Sequence, residues 1–262
     1  MKGSGEAIFC RYPIIDFNQI VSVKLDDGTN WRLSHDVIDA EVNVSGIITH
    51  VIGLHLKCCS GADNVEKREK SMEGLINYMD QLGDIPIILM GDFNSFSPDD
   101  TGDLAPMGDL GYGPITMLLK PNDPTYGKYS SNVHTFIDVF RSLNPTDPGY
   151  TYGWNTTVLK SRIDFIFVNS YFEDKLINCS TVVTTTSDHL PVIAFLGKVQ
   201  SSSTTTELIS NTTTSVDSTP IETTSISSTT AKNESESLAT KGYLLMTVIL
   251  SFISILVIRK KK

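Results

Sequence analysis

The sequence predicts an α/β head of layered strands and helices over residues 1–199. A Ser/Thr-rich disordered linker over 200–241 joins it to a transmembrane helix over 242–258 and a basic cytoplasmic tail over 259–262. Three observations predict this plan. Short apolar runs in the head alternate with one stretch at helical spacing, residues 200–241 carry no aromatic side chain, and residues 242–258 carry no charge. A chain of 262 residues, 40% hydrophobic, is long enough to bury a core in one or two domains.

Within the head, "GEAIFCRYPI" reads as a short strand closed by Pro13, and Ile47 to Leu56 as a longer one that delivers His55 near its C-terminal end. Val65, Met72, Leu75, Ile76, Met79 and Leu82 then recur at near-helical spacing with charged residues between them, which predicts an amphipathic helix. The apolar run Ile85 to Met90 is the next strand, so strand, helix and strand alternate as in an α/β layered domain. "SRIDFIFVN" is a strand with Asp164 among apolar neighbours. "CSTVVTTTSDHLPVIAFLG" gives two strands joined at the Ser187-Asp188-His189 corner.

The C-terminal third differs in kind. A Ser/Thr-dominated stretch buries too little apolar surface to offset its ordering entropy. The 17 apolar residues that follow are near the lower limit for a membrane-spanning helix, and Arg259, Lys260, Lys261 and Lys262 come directly after them. Basic flanks stay on the cytoplasmic side, which predicts a single-pass cell-membrane protein with the head outside. Sequons at Asn43, Asn155, Asn178, Asn211 and Asn233 agree with an exterior, glycosylated head and stalk. Cys10, Cys58, Cys59 and Cys179 show no C-x-x-C pair, which argues against structural zinc. If Cys58 and Cys59 lie on a strand, they point to opposite faces and read as buried free thiols.

Charge restricts the partners. The head carries 15 Lys and Arg against 25 Asp and Glu. So acidic a surface disfavours tight, non-specific binding to nucleic acid. A site that borrows positive charge from a metal is compatible with it.

The chemistry concentrates at "GDFN", residues 91–94. In an extended chain Asp92 and Asn94 point one way and Phe93 the other, so two polar groups face a site while the aromatic anchors the loop. Taken alone, the tetrapeptide reads more readily as a turn. Its company decides the matter. "GLHLK", "GDFN", "SRIDFIFV" and "SDHLPV", in this order, resemble the endonuclease/exonuclease/phosphatase superfamily of metal-dependent phosphoesterases, over about residues 5–197. The superfamily includes deoxyribonuclease I-like nucleases and sphingomyelinase-like phospholipases.

The resemblance implies a four-layer α/β/β/α sandwich of two packed mixed sheets. It also implies roles at the matching positions. His189 takes the place of the active-site histidine beside the scissile phosphate, and Asp164 that of the carboxylate orienting it. Asp92 and Asn94 match the pair that positions water and holds the phosphate or metal. Asp188 matches a carboxylate that binds or supports the cation, and His55 a histidine contacting a phosphate oxygen or the leaving group. The metal set is thus Asp188, Asp92 and Asn94, with Mg²⁺ or Mn²⁺ favoured by oxygen ligands. The expected reaction is in-line attack of water on a phosphate ester of a nucleic acid, a nucleotide or a phospholipid. Either Asp92 or His189 could take the proton.

Alternatives stand beside these roles. His55 also admits a reading as a partly buried structural histidine, and His35, His50 and His134 read as structural or surface residues. Asp99, Asp100 and Asp103 read as a solvated acidic loop, and Tyr152 and Trp154 as packing aromatics. One departure from the family pattern matters more. The N-terminal Asn and the metal-binding Glu of the family have no counterpart, and neither Glu6 nor Glu41 matches the missing motif. No basic-then-apolar leader stands at Met1. These points lead to the expectation that the chain is the C-terminal part of a longer protein and that, by itself, it binds metal poorly. The competing function is a catalytically degenerate surface protein used for display or adhesion.

Overall fold

In the computed structural model, which describes residues 6–153, 160–197, 243–249 and 254–260, the head is built around one long mixed sheet. β1 (Ile8–Cys10) is followed by a hairpin of β2 (Ile14–Lys24) and β3 (Asn30–Val44). The next turn has Ser45 and Gly46 at φ of 56° and 95°. Two successive positive φ values match the right-handed twist of a tight hairpin, so β3 returns directly as β4 (Ile47–His55). Helix α1 (Ala62–Gln81) then crosses over, and β5 (Ile87–Asp92) lies parallel to β4. After α2 (Gly113–Leu119) come β6 (Phe136–Asp138), α3 (Val139–Leu143) and β7 (Asp164–Asn169). The sheet order is β2-β3-β4-β5-β7-β6. β8 (Leu176–Thr181) and β9 (Val192–Leu196) pair antiparallel as a second, small sheet.

At its centre the long sheet is buried on both faces. On one, Met72, Leu75, Ile76 and Met79 of α1 pack with Ile52, Leu54, Ile87, Leu89, Phe165 and Phe167, as the helical spacing predicts. On the other, Ala40, Val42, Val51, Ile88, Met90 and Ile166 meet Cys179, Val192, Ala194 and Leu196 of the small sheet. This is why β5 and β7 read as uninterrupted apolar runs: each is buried throughout.

Of the expected sandwich, the described residues show the six-stranded mixed sheet with α1 against one face and the two-stranded sheet of β8 and β9, with α3 beside β8, against the other. The hairpin of β2 and β3 is absent from the sequence reading, because polar side chains interrupt both strands and β2 is largely exposed. The run expected to be a transmembrane helix is two strands, β10 (Tyr243–Ile249) and β11 (Ser254–Lys260), paired antiparallel, with β11 also pairing with β1. A continuous apolar run has no period to separate strand from helix, and its Val, Ile and Thr are β-branched, which favours extended backbone. Among the described residues no helix is long and apolar enough to cross a membrane, a statement that does not concern strands. The linker over 200–241 and the sequons at Asn155, Asn211 and Asn233 lie outside the described residues.

Candidate active site

Sheet register builds the site. His55 ends β4, Asp92 ends β5 and Asp164 begins β7, and the pairing sets His55 opposite Asp92 and Asp92 opposite Asp164. Three polar side chains from distant parts of the sequence therefore stand side by side at one end of the sheet. Gly91 makes this pairing possible: at φ 143° a Cβ there would lie 1.9 Å from the Leu54 carbonyl oxygen. The aromatic between the polar pair anchors the loop, as the sequence predicts. Phe93 is fully buried and meets Phe165 and Phe167 edge-on, with ring centroids 5.6 and 5.2 Å away.

Asn94 departs from extended backbone, with φ 47°, a conformation Asn tolerates better than most residues. Its backbone N–H donates to Asp92 Oδ1 at 2.9 Å and its side-chain amide to the Leu56 carbonyl at 3.1 Å. Asp92 and Asn94 are thus held together, and the turn after β4 is tied to the loop after β5. Around Asp164, Thr151 Oγ1 accepts from the backbone N–H groups of Ile163 and Asp164.

His189 joins from the far corner. Its Nδ1 lies 2.8 Å from Asp164 Oδ2, and the Tyr152 ring packs beside the imidazole at 5.0 Å. Burial pulls the imidazole pKa down, but the Asp164 carboxylate overcomes this with help from the charges of Asp92 and Asp188, leaving it raised to about 9. With no cation in the site, this shift favours the charged imidazolium. With Nδ1 committed to Asp164, Nε2 is the nitrogen available to a substrate.

A cation fits this arrangement. Asp92, Asp164 and His189 each offer a ligand atom within 4.8 Å of the others, and all three are buried. Asp164 Oδ1 is buried with no hydrogen-bond partner among the described residues. An orphaned carboxylate oxygen at a carboxylate pair is costly in a bare protein and is satisfied by a hard divalent ion. Asp188 is exposed and lies outside this trio, acting on His189 through its charge.

Other residues sort differently from their sequence readings. His55 is buried at the site, with Nε2 3.5 Å from Asp92 Oδ2 and Nδ1 4.0 Å from Glu6 Oε1. His35, read as structural or surface, stacks on His55 at 4.4 Å. No sequence signal marked it, since it lies in the overlooked β3. Glu6 reaches the site, whereas Glu41 faces His50 across the sheet, five residues from His55 along β4. His50 pairs with Asp39, and His134 bonds to the Met79 carbonyl and Asn169, both structural as expected. Asp100 is not solvated. It is buried and bridges Arg141 and Arg162, while Arg162 also reaches Asp138. Trp154 lies outside the described residues.

The family model described as "Endonuclease/Exonuclease/phosphatase family" matches residues 2–189. No curated protein matches the chain. Among solved structures, the chain is similar to a 3′ phosphatase, NExo, from Neisseria bound to product DNA hairpin, at 18% identity and TM-score 0.49, over 74% of this chain and 80% of that one. An AP endonuclease from Archaeoglobus fulgidus is 18% identical, with TM-score 0.43, over 67% of this chain and 70% of that one. The human Nocturnin catalytic domain is 18% identical, with TM-score 0.41, over 69% and 57%.

Proposed function

Because the chain belongs to the endonuclease/exonuclease/phosphatase family, whose model matches residues 2–189, we propose that it hydrolyses phosphate esters with the help of a divalent cation, Mg²⁺ or Mn²⁺. The observation that carries this reading is the Asp92–Asp164–His189 cluster at the end of the long sheet, with its orphaned Asp164 oxygen. Asp92 and Asp164 would hold the cation, with Asn94 and Asp188 as further candidates. When bound, the ion neutralises charge that builds on the phosphate oxygens.

The side chains divide the remaining work. His189 is held protonated by Asp164, so it suits a donor: Nε2 stabilises a phosphate oxygen or gives its proton to the leaving group. In this reading His189 is the proton donor and Asp92 takes the proton of the attacking water. His55, beside Asp92, is placed to contact a phosphate oxygen.

Hydrolysis of a nitrophenyl phosphodiester and of the monoester, in Mg²⁺, tests the proposal. Removing one proton-transfer group costs roughly 10²–10⁴-fold, so His189→Ala should lose activity on that scale. Unchanged turnover in the variant would defeat the assignment. Parallel assays on DNA, RNA and sphingomyelin vesicles separate a nuclease from a phospholipase C-like enzyme.

A catalytically degenerate surface protein remains the second reading. It is favoured by the small donor set: two carboxylates and one imidazole supply few oxygens for an ion that prefers six. Parent protein without turnover on any of these esters, in either metal, would support it. Membrane attachment with the head outside is a separate proposal, resting on the apolar run 242–258 and its four basic followers.

A further inference from the structure

Cys58 and Cys59 lie just beyond His55, in the turn between β4 and α1. They are not the buried, oppositely facing pair that a strand would give. Cys58 is half-buried and Cys59 exposed. Cys59 has φ 78°, a left-handed conformation uncommon outside glycine, which brings its side chain to the side of its neighbour. The two Sγ atoms are 2.8 Å apart.

The turn is held in this shape from beneath. Arg68, fully buried, donates from Nη1 to the carbonyls of Lys57 and Cys59, both at 2.8 Å, and from Nη2 to the Leu110 carbonyl. One guanidinium nitrogen thus clamps the backbone on both sides of Cys58. The thiols are set together before any reaction takes place.

We propose that Cys58 and Cys59 form a redox modification site, closing to a vicinal disulfide by exchange with a low-molecular-weight disulfide and reopening on reduction. One thiolate attacks a sulfur of the small disulfide, forming a mixed disulfide and expelling one small thiol. The neighbouring thiolate then attacks the protein sulfur of that mixed disulfide, forming the Cys58–Cys59 bond and expelling the second small thiol. The cysteine pair gives up two electrons and two protons, and the small disulfide receives them as two thiols.

Geometry makes the bond labile. Adjacent Cα atoms are about 3.8 Å apart across a trans peptide, shorter than the roughly 4.4–6.8 Å of ordinary disulfides. The strained bond is readily reduced, which suits a switch more than a staple. Its state also reaches the site. The Leu56 carbonyl, two residues before Cys58, accepts from Asn94, and the Leu56 N–H donates to the Asp92 carbonyl at 2.9 Å.

The test uses the intact chain equilibrated with oxidised and then reduced glutathione, followed by alkylation without reductant. Trypsin cuts after Lys57 and Lys67, so both cysteines fall in peptide 58–67. The expected result is that peptide, unalkylated and lighter than its dithiol form by two hydrogen atoms, becoming doubly alkylated after reduction. Cys179, buried with its thiol pushed up to about 12, is expected to stay reduced throughout. Double alkylation of peptide 58–67 in the oxidised sample would overturn the proposal. So would a persistent glutathione adduct on either cysteine, or a crosslink to another chain.

Discussion

At the residue scale, the account turns on His189 and its partner. In the metal-free protein its imidazole should titrate near 9 by NMR; a value near the ordinary 6.5 would mean that the Asp164 contact is not made in solution. The sign for stability follows. Raised above its unfolded value, His189 stabilises the fold fully below about pH 6.5, and that contribution is lost as pH rises through about 9. Asp164→Asn removes the charge while the ring stays buried, so the same resonance should titrate well below 9 and ester hydrolysis should fall. Gly91→Ala is the steric test. With a Cβ 1.9 Å from the Leu54 carbonyl at a positive φ, it should cost roughly 3 kcal/mol or more in urea unfolding, and a near-neutral variant would contradict the close β4–β5 approach. Asp92, Asn94 and Asp164 stand out in the sequence as polar side chains at or within apolar strands, whereas the roles of His189, Asp188 and His55 come from the family resemblance. His35 and Glu6 do not stand out, because only the folded register brings them to His55.

At the scale of elements, the strands and helix around the site follow from periodicity and apolar run length, with boundaries within three residues for β4, α1 and β5. What failed was context. The acidic Asp99–Asp103 segment looks solvated because nothing local marks Asp100 for burial; its partners, Arg141 and Arg162, come from 41 and 62 residues away. This network lies against β7 two residues from Asp164, and Arg162 stacks over Phe165 at 4.4 Å. Breaking a buried ion pair from one side typically costs about 3–5 kcal/mol. Arg162→Met should therefore destabilise the head by that order in chemical denaturation, since it leaves Asp100 and Asp138 buried without their shared cation. A shift under 1 kcal/mol would show that these carboxylates find water or other partners.

At the scale of the molecule, the long sheet carries a helical layer on one face and a small sheet on the other, and its strand ends carry the candidate site. The apolar run after the Ser/Thr-rich stretch is where sequence and structure diverge most, because an unbroken apolar run fits a helix in lipid and a strand pair in protein alike. Alkaline carbonate extraction of expressing cells decides the proposed attachment: the chain should remain in the membrane pellet, and release to the supernatant would count against it. The most direct measurement on the site itself strips the protein with chelator, then follows phosphodiester hydrolysis as Mg²⁺ is returned, for the parent and for Asp92→Asn. No turnover in chelator, saturable recovery with Mg²⁺, and a loss on the order of 10²-fold or more in the variant are expected. Equal rates with and without metal, or a fully active Asp92→Asn, would overturn the proposed metal-dependent hydrolysis.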